Sequence, residues 1–96
     1  MVGLKIIWAP SAYQDLKEAY AFIHQDNPRA AGKWVKTILT RVEKLAAFPK
    51  MGRLIPEIGL SKYRELLVGD YRIFHEVLPN RLIVLRVLHG SRLFKQ

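Results

Sequence analysis

The sequence predicts an α+β domain of order β-α-α-β-β-β, an antiparallel sheet packed against an N-terminal helical hairpin. Three observations lead there. Two amphipathic helical patterns lie end to end between Pro10 and Pro49. Three β-rich runs follow, joined by the turn pairs Gly69-Asp70 and Pro79-Asn80. The chain has 96 residues, 50% hydrophobic and 25% charged, which suits one core and leaves no room for a second. Residues 1–96 are therefore expected to form a single domain.

The elements are justified in order. Leu4 to Trp8 is a short β-rich run ended by Ala9-Pro10, and it reads as a strand rather than a signal peptide. Pro10 suits a helix start. Ala12, Leu16, Ala19, Tyr20 and Ile23 then follow helical spacing to about Gln25. Asn27 can cap a second helix and Pro28 can occupy its first turn. Ala31, Trp34, Val35, Ile38, Val42, Leu45 and Ala46 form its apolar stripe, and Pro49 stops it. The stretch from Phe48 to Lys62 holds two prolines and two glycines and reads as a loop long enough to carry function. Tyr63–Val68, Tyr71–Leu78 and Arg81–His89 read as strands.

If both strand connections are two-residue turns, the register follows. Val68 then pairs with Tyr71, Leu67 with Arg72, Leu78 with Arg81, Phe74 with Leu85 and Arg72 with Val87. One face collects Leu66, Val68, Tyr71, Ile73, Val77, Leu82, Val84 and Leu88 and should pack on the helices. Arg64, His75 and Arg86 fall on that face too, near its margin, because a dry core rejects unpaired charge. The other, more open face collects Tyr63, Glu65, Arg72, Phe74, Glu76, Ile83, Leu85, Val87 and His89. This register sets Arg72 and His89 on one face, near one end.

Charge narrows the partners. Lys+Arg number 16 against 8 Asp+Glu, a formal net charge of +8. Such an excess concentrates anionic partners near the surface, whether nucleic acid or an acidic protein, although small basic domains without nucleic-acid partners share it. The absence of cysteine excludes disulfides, thiol nucleophiles and cysteine zinc sites and fits a reducing cytoplasm, the expected location. His24, His75 and His89 make no metal-binding spacing. Gly52, Gly59, Gly69 and Gly90 are separate turn formers, not a phosphate-cradling loop. No cofactor, no metal and no membrane span are expected.

Several segments, in order, carry a resemblance: "APSAYQDL", "NPRAA", "FPKMGRLIPE", "YRELLVGDYRIFHEV" and "VLRVLHGSR". Together they cover nearly the whole chain, which resembles the RelE/ParE superfamily of toxins from type II toxin–antitoxin systems. The "RVLHGSR" ending and the "FP…GR" loop look most like the ParE branch. The resemblance implies a toxin neutralised by a cognate antitoxin. In the ParE branch the target is DNA gyrase, poisoned without catalysis. In the RelE branch the target is mRNA, cleaved inside the ribosome. An inactive homologue that only binds its antitoxin is a third reading.

Fold alone does not choose between these. RNA cleavage needs a group to take the 2′-hydroxyl proton, cations for the phosphate and an acid for the leaving oxygen. Matching to the RelE nucleases retains Arg72 and Arg92. Their flanking lysines fall on Tyr63 and Glu65, and the tyrosine of their C-terminal tail has no counterpart. Matching to the YoeB-like nucleases retains Glu57 (loosely aligned), Arg72 and His89, with Gly90 at the tyrosine position. The nuclease set, Arg72, His89 and Arg92, is thus partial. Arg53, Arg64, Arg72 and Arg92 are candidates for target binding. Arg72 could instead pair with Glu65 or Glu76 across the sheet, His89 could be an ordinary strand-end residue, and Arg53, Arg64 and Arg92 ordinary ion-paired or solvated arginines. Tyr13, Tyr20 and Phe22 give the first helix more aromatic surface than one core face needs, and they could receive the antitoxin.

Overall fold

A computed structural model describes residues 3–90. The order is β1 (Lys5–Trp8), α1 (Pro10–Asp26), α2 (Pro28–Ala47), a single 3-10 turn (Pro49–Met51), β2 (Arg53–Leu54), β3 (Tyr63–Val68), β4 (Tyr71–Val77) and β5 (Arg81–His89). The sheet runs β1-β5-β4-β3-β2. Four of its strands are antiparallel neighbours, whereas β1 lies parallel to β5, pairing Lys5 with Arg81 and Trp8 with Val84. The expected antiparallel sheet is thus a mixed one. An edge strand can pair in either direction, and the crossover through the helical hairpin allows the parallel one. β2 is also additional: within the expected loop, Arg53 and Leu54 pair with Glu65 and Arg64.

Local chemistry explains the element ends. Pro10 opens α1 and Pro28 opens α2, where a missing N–H costs nothing. The Asn27 side chain accepts from the Ala30 N–H at 3.1 Å, capping α2. Gly69 turns β3 into β4 with φ +57°, the left-handed value that the first central residue of a II′ hairpin requires. No helix among the described residues is long and apolar enough to cross a membrane.

The helices pack on one sheet face. Ala12, Ile38, Val42 and Leu45 meet Leu66, Val68, Ile73, Leu82, Val84 and Val87 there. The opposite face is not open. Ile55 and Ile58, from the segment between β2 and β3, close over Phe74 and Leu88 to make a second small core. Burying those side chains fixes a segment that would otherwise have too few apolar contacts to stay in place.

The β4–β5 register contains an irregularity that corrects the sequence reading. Pairing follows expectation from Val77–Leu82 to His75–Val84. It then shifts, so that Phe74 pairs with Arg86, Arg72 with Leu88 and Tyr71 with His89. Leu85 is the extra residue of a β-bulge. Its carbonyl accepts from Ser11 Oγ at 2.9 Å, so the start of α1 holds the bulge in place. Beyond it every β5 side chain changes face: Val87 joins the helix side and Leu88 the other. The expected pairs Phe74–Leu85 and Arg72–Val87 do not form, and Arg72 and His89 do not share a face.

Candidate functional site

Arg72 sits on the loop-covered face, 8% exposed, flanked by acids. Its Nε donates to Glu65 Oε1 at 2.6 Å. Its two terminal nitrogens donate to both oxygens of Glu57, at 3.0 and 2.9 Å. Glu65 is 1% exposed and also accepts from Arg53 Nε at 2.7 Å. The guanidinium carbon of Arg72 lies 4.8 Å from the centre of the Phe74 ring. Two guanidinium groups therefore face two carboxylates, and the cluster is neutral. The hydrogen bonds that Arg72 donates to Glu57, then the one to Glu65, raise its pKa and keep it protonated. The Arg72 hydrogen bonds in turn hold the Glu57 carboxyl below the usual carboxylate range.

The pairing of Arg72 with Glu65 is the cross-sheet alternative raised from sequence; Glu76 pairs instead with Lys62 at 3.7 Å. Glu65 and Arg72 lie on one face of a hairpin whose register was legible, so their pairing was too. The bidentate hold by Glu57 was not legible, because it depends on how the segment after β2 folds back over the sheet.

A cleft of about 510 Å³ lies at this end of the sheet, lined by Arg53, Glu57, Asp70, Arg72, His89 and Gly90 among others. Arg72 and His89 both reach it, from opposite faces. On the helix side the His89 ring meets the Tyr71 ring edge-on at 5.3 Å, and Tyr71 in turn packs 4.9 Å from Trp34. His89 is a strand-end residue engaged with aromatic neighbours, at the mouth of the cleft.

The other assigned residues are dispersed. Arg64 lies on the helix side and donates to the Gly52 carbonyl at 3.0 Å. Arg53 keeps 58% of its side chain exposed while paired with Glu65. Arg92 lies outside the described residues. Arg53 and Arg72 come together at the cleft, and Arg64 does not join them. On α1, Tyr13 and Tyr20 are seven residues apart and share one side of the helix. Phe22, 72% exposed, faces a separate groove of about 380 Å³ with Asp15, Glu18, Ala19, Tyr71, Val87, Leu88 and His89. The three aromatics are thus not one patch.

Two features were missed from sequence. Asp15 accepts from Arg86 Nε at 2.7 Å and Nη2 at 3.1 Å, and from the Val87 N–H at 3.0 Å, tying α1 to β5 just beyond the bulge. The Asp15 hydrogen bonds raise the Arg86 pKa. His75, expected at the margin, is fully buried. Its Nδ1 donates to the Ile73 carbonyl at 3.1 Å, which leaves Nε2 an acceptor without a partner among the described residues. Burial lowers its pKa. Among the described residues no group of three or more His, Cys, Asp or Glu is placed to hold a metal ion.

An α1–α2 hairpin on a five-stranded mixed sheet is the fold of the class of small toxins that the sequence segments resemble. Residues 6–94 match the family described as "ParE toxin of type II toxin-antitoxin system, parDE". The protein "Toxin RelE2" of Caulobacter vibrioides is 30% identical over 90 residues, covering 93% of this chain and 98% of that one. "Putative toxin Y4kP" of Sinorhizobium fredii is 33% identical over 98 residues, covering 96% and 94%. The structure of the chromosomal ParDE system from P. aeruginosa superposes with a TM-score of 0.77 at 21% identity, over 92% of this chain and 97% of that one. The chain therefore belongs to the ParE toxin family of type II toxin–antitoxin systems, within the RelE/ParE superfamily. Relatives bear both RelE and ParE names, so membership does not choose a target.

Proposed function

We propose that this toxin arrests growth in the ParE manner, by binding DNA gyrase and trapping its cleaved DNA complex, with no catalytic site of its own. The observation that carries the reading is the occupation of Arg72. A nuclease needs that guanidinium to stabilise a phosphate whose charge grows in the transition state. Here its charge is offset by Glu57 and Glu65, and a phosphate would have to displace a bidentate carboxylate. Proton transfer must also be relayed within hydrogen-bond reach of the same phosphate. His89 approaches from the other face, its ring edge-on to Tyr71.

Purified gyrase tests this. The toxin should inhibit supercoiling and accumulate double-strand breaks in plasmid DNA at near-stoichiometric ratios. Intact supercoiling and no breaks would reject it.

One observation favours the second reading, ribosome-dependent mRNA cleavage: Glu57, Arg72 and His89 border one cleft. If that cleft cuts RNA, His89→Ala should abolish cleavage by orders of magnitude. Under the gyrase reading it should leave growth arrest within about threefold of the parent, as for other exposed positions.

Under either reading the partner that restrains the toxin is a cognate antitoxin, as in the ParDE pair whose fold it shares. The groove beside Phe22, and the Tyr13–Tyr20 side of α1, give it aromatic anchors of the kind that dominate interfaces. Such a contact should survive salt that dissociates a purely ionic one. Phe22→Ala, at a side chain 72% exposed, should weaken antitoxin binding and leave toxicity intact.

A further inference from the structure

We propose that the solvent-facing side of α2 is a contact surface for duplex DNA. It extends the gyrase reading by giving the toxin a direct hold on the DNA that gyrase cleaves. It is tested without gyrase, so the two can fail separately.

The charge of this chain is unevenly placed. Helix α2 carries Arg29, Lys33, Lys36, Arg41 and Lys44 against a single acid, Glu43. That surplus of four is half the net charge of the whole chain. The buried residues Ala31, Ile38, Val42 and Leu45 fix which side of the helix faces the sheet. At about 100° per residue, Arg29, Lys33, Lys36 and Lys44 lie on the opposite side, and all four are exposed. They make no ion pair with the described residues, whereas Asp15, Glu57, Glu65 and Glu76 are taken up by cations elsewhere. The result is a cationic stripe with Glu43 as its one acid.

The stripe spans about 22 Å, at 1.5 Å rise per residue. A duplex presents a phosphate about every 3.4 Å of axis on each strand, so such a stripe meets several at once. An acidic protein partner fits less well. Tight protein contacts centre on buried aromatic or aliphatic anchors, and between Arg29 and Lys44 this side offers cations, threonines, Gly32 and Glu43, with Leu39 at its flank.

Gly32 is the second observation. A glycine inside a helix costs stability, and here no packing explains it: a Cβ on Gly32 would meet nothing within 4 Å. It lies next to Lys33, one turn from Arg29 and Lys36. A gap without a side chain lets a nucleic-acid backbone approach the helix while the flanking cations reach its phosphates.

The test is binding of the purified toxin to a fluorescent duplex of about 20 bp, followed by anisotropy across a salt series. Four phosphate contacts predict a log–log salt slope of about −3 to −4. Lys33→Glu/Lys36→Glu should weaken binding about tenfold or more and flatten that slope. The neutral pair Lys33→Gln/Lys36→Gln should fall between. Lys5→Glu/Arg81→Glu makes the same change in net charge on the first β1–β5 pair, beside the C-terminal end of α2 near Ala46 and away from Lys33 and Lys36, and should stay within about twofold of the parent. Circular dichroism checks that each variant is folded. Equal loss in both charge-reversed pairs would mean diffuse attraction and overturn the proposal. So would undetectable binding at low salt, or tighter binding of a structured RNA or an acidic peptide through the same lysines.

Discussion

Glu57 holds Arg72 through both carboxylate oxygens, at 2.9 and 3.0 Å. One residue comes from the segment after β2 and the other from the middle of the sheet, so the pair latches that segment over the second core. Glu57→Gln keeps the shape and removes the charge. The segment should then open more often. The Ile58 and Gly59 amides, which donate to the Ile55 carbonyl, should exchange with solvent faster than in the parent. Unchanged exchange would mean that Ile55 and Ile58 hold the segment unaided.

Glu65 is the buried centre of the same cluster. Removing one partner of a buried pair strands the other's charge, so Glu65→Gln should cost about 3 kcal/mol in urea denaturation. Replacing the pair with apolar groups, as Glu65→Leu/Arg72→Met, should recover much of that loss. A double variant no more stable than Glu65→Gln would show that packing, not stranded charge, sets the cost.

Gly52 lies against His75. A Cβ there would stand 2.7 Å from His75 Cε1 and 3.0 Å from the Glu65 carbonyl oxygen. Since backbone cannot yield as a side-chain end can, Gly52→Ala should destabilise by about 1–3 kcal/mol. Thermal melting measures it, and His75→Ala in the same chain should relieve only the part due to the ring.

His75 also predicts how stability depends on acid. An unfolded imidazole titrates near 6.5, while burial holds the folded ring lower, with the Arg64 charge adding to the shift and Glu65 opposing it. As pH falls through 6.5 the unfolded state takes up the proton first. Stability should therefore be full above that value and decline from pH 7 toward pH 5. His75→Leu should flatten this window, as read by urea midpoints at each pH. A parent midpoint constant over the window would contradict the burial of a neutral ring.

Much of the fold was legible because its signals are local. Pro10, Asn27-Pro28 and Pro49 punctuate the helices, and Gly69-Asp70 sets the β3–β4 register. The β5 register failed past Val84, because the Leu85 bulge is held by Ser11 from the start of α1, a contact no local pattern announces. That one residue moved His89 to the face opposite Arg72, so two members of the partial nuclease set do not share the face expected for them. The acids around Arg72 were only half readable: Glu65 follows from strand alternation, whereas Glu57 depends on the return of an irregular segment. The direction of β1 and the short strand β2 rest on long-range pairing and were not readable at all.

The most direct measurement offers one preparation of the toxin to two targets side by side: gyrase with supercoiled plasmid, and translating ribosomes with mRNA. Stabilised DNA breaks are expected in the first reaction and intact message in the second, since Arg72 is already committed to Glu57 and Glu65. Cleaved message with unaffected supercoiling would contradict the gyrase reading.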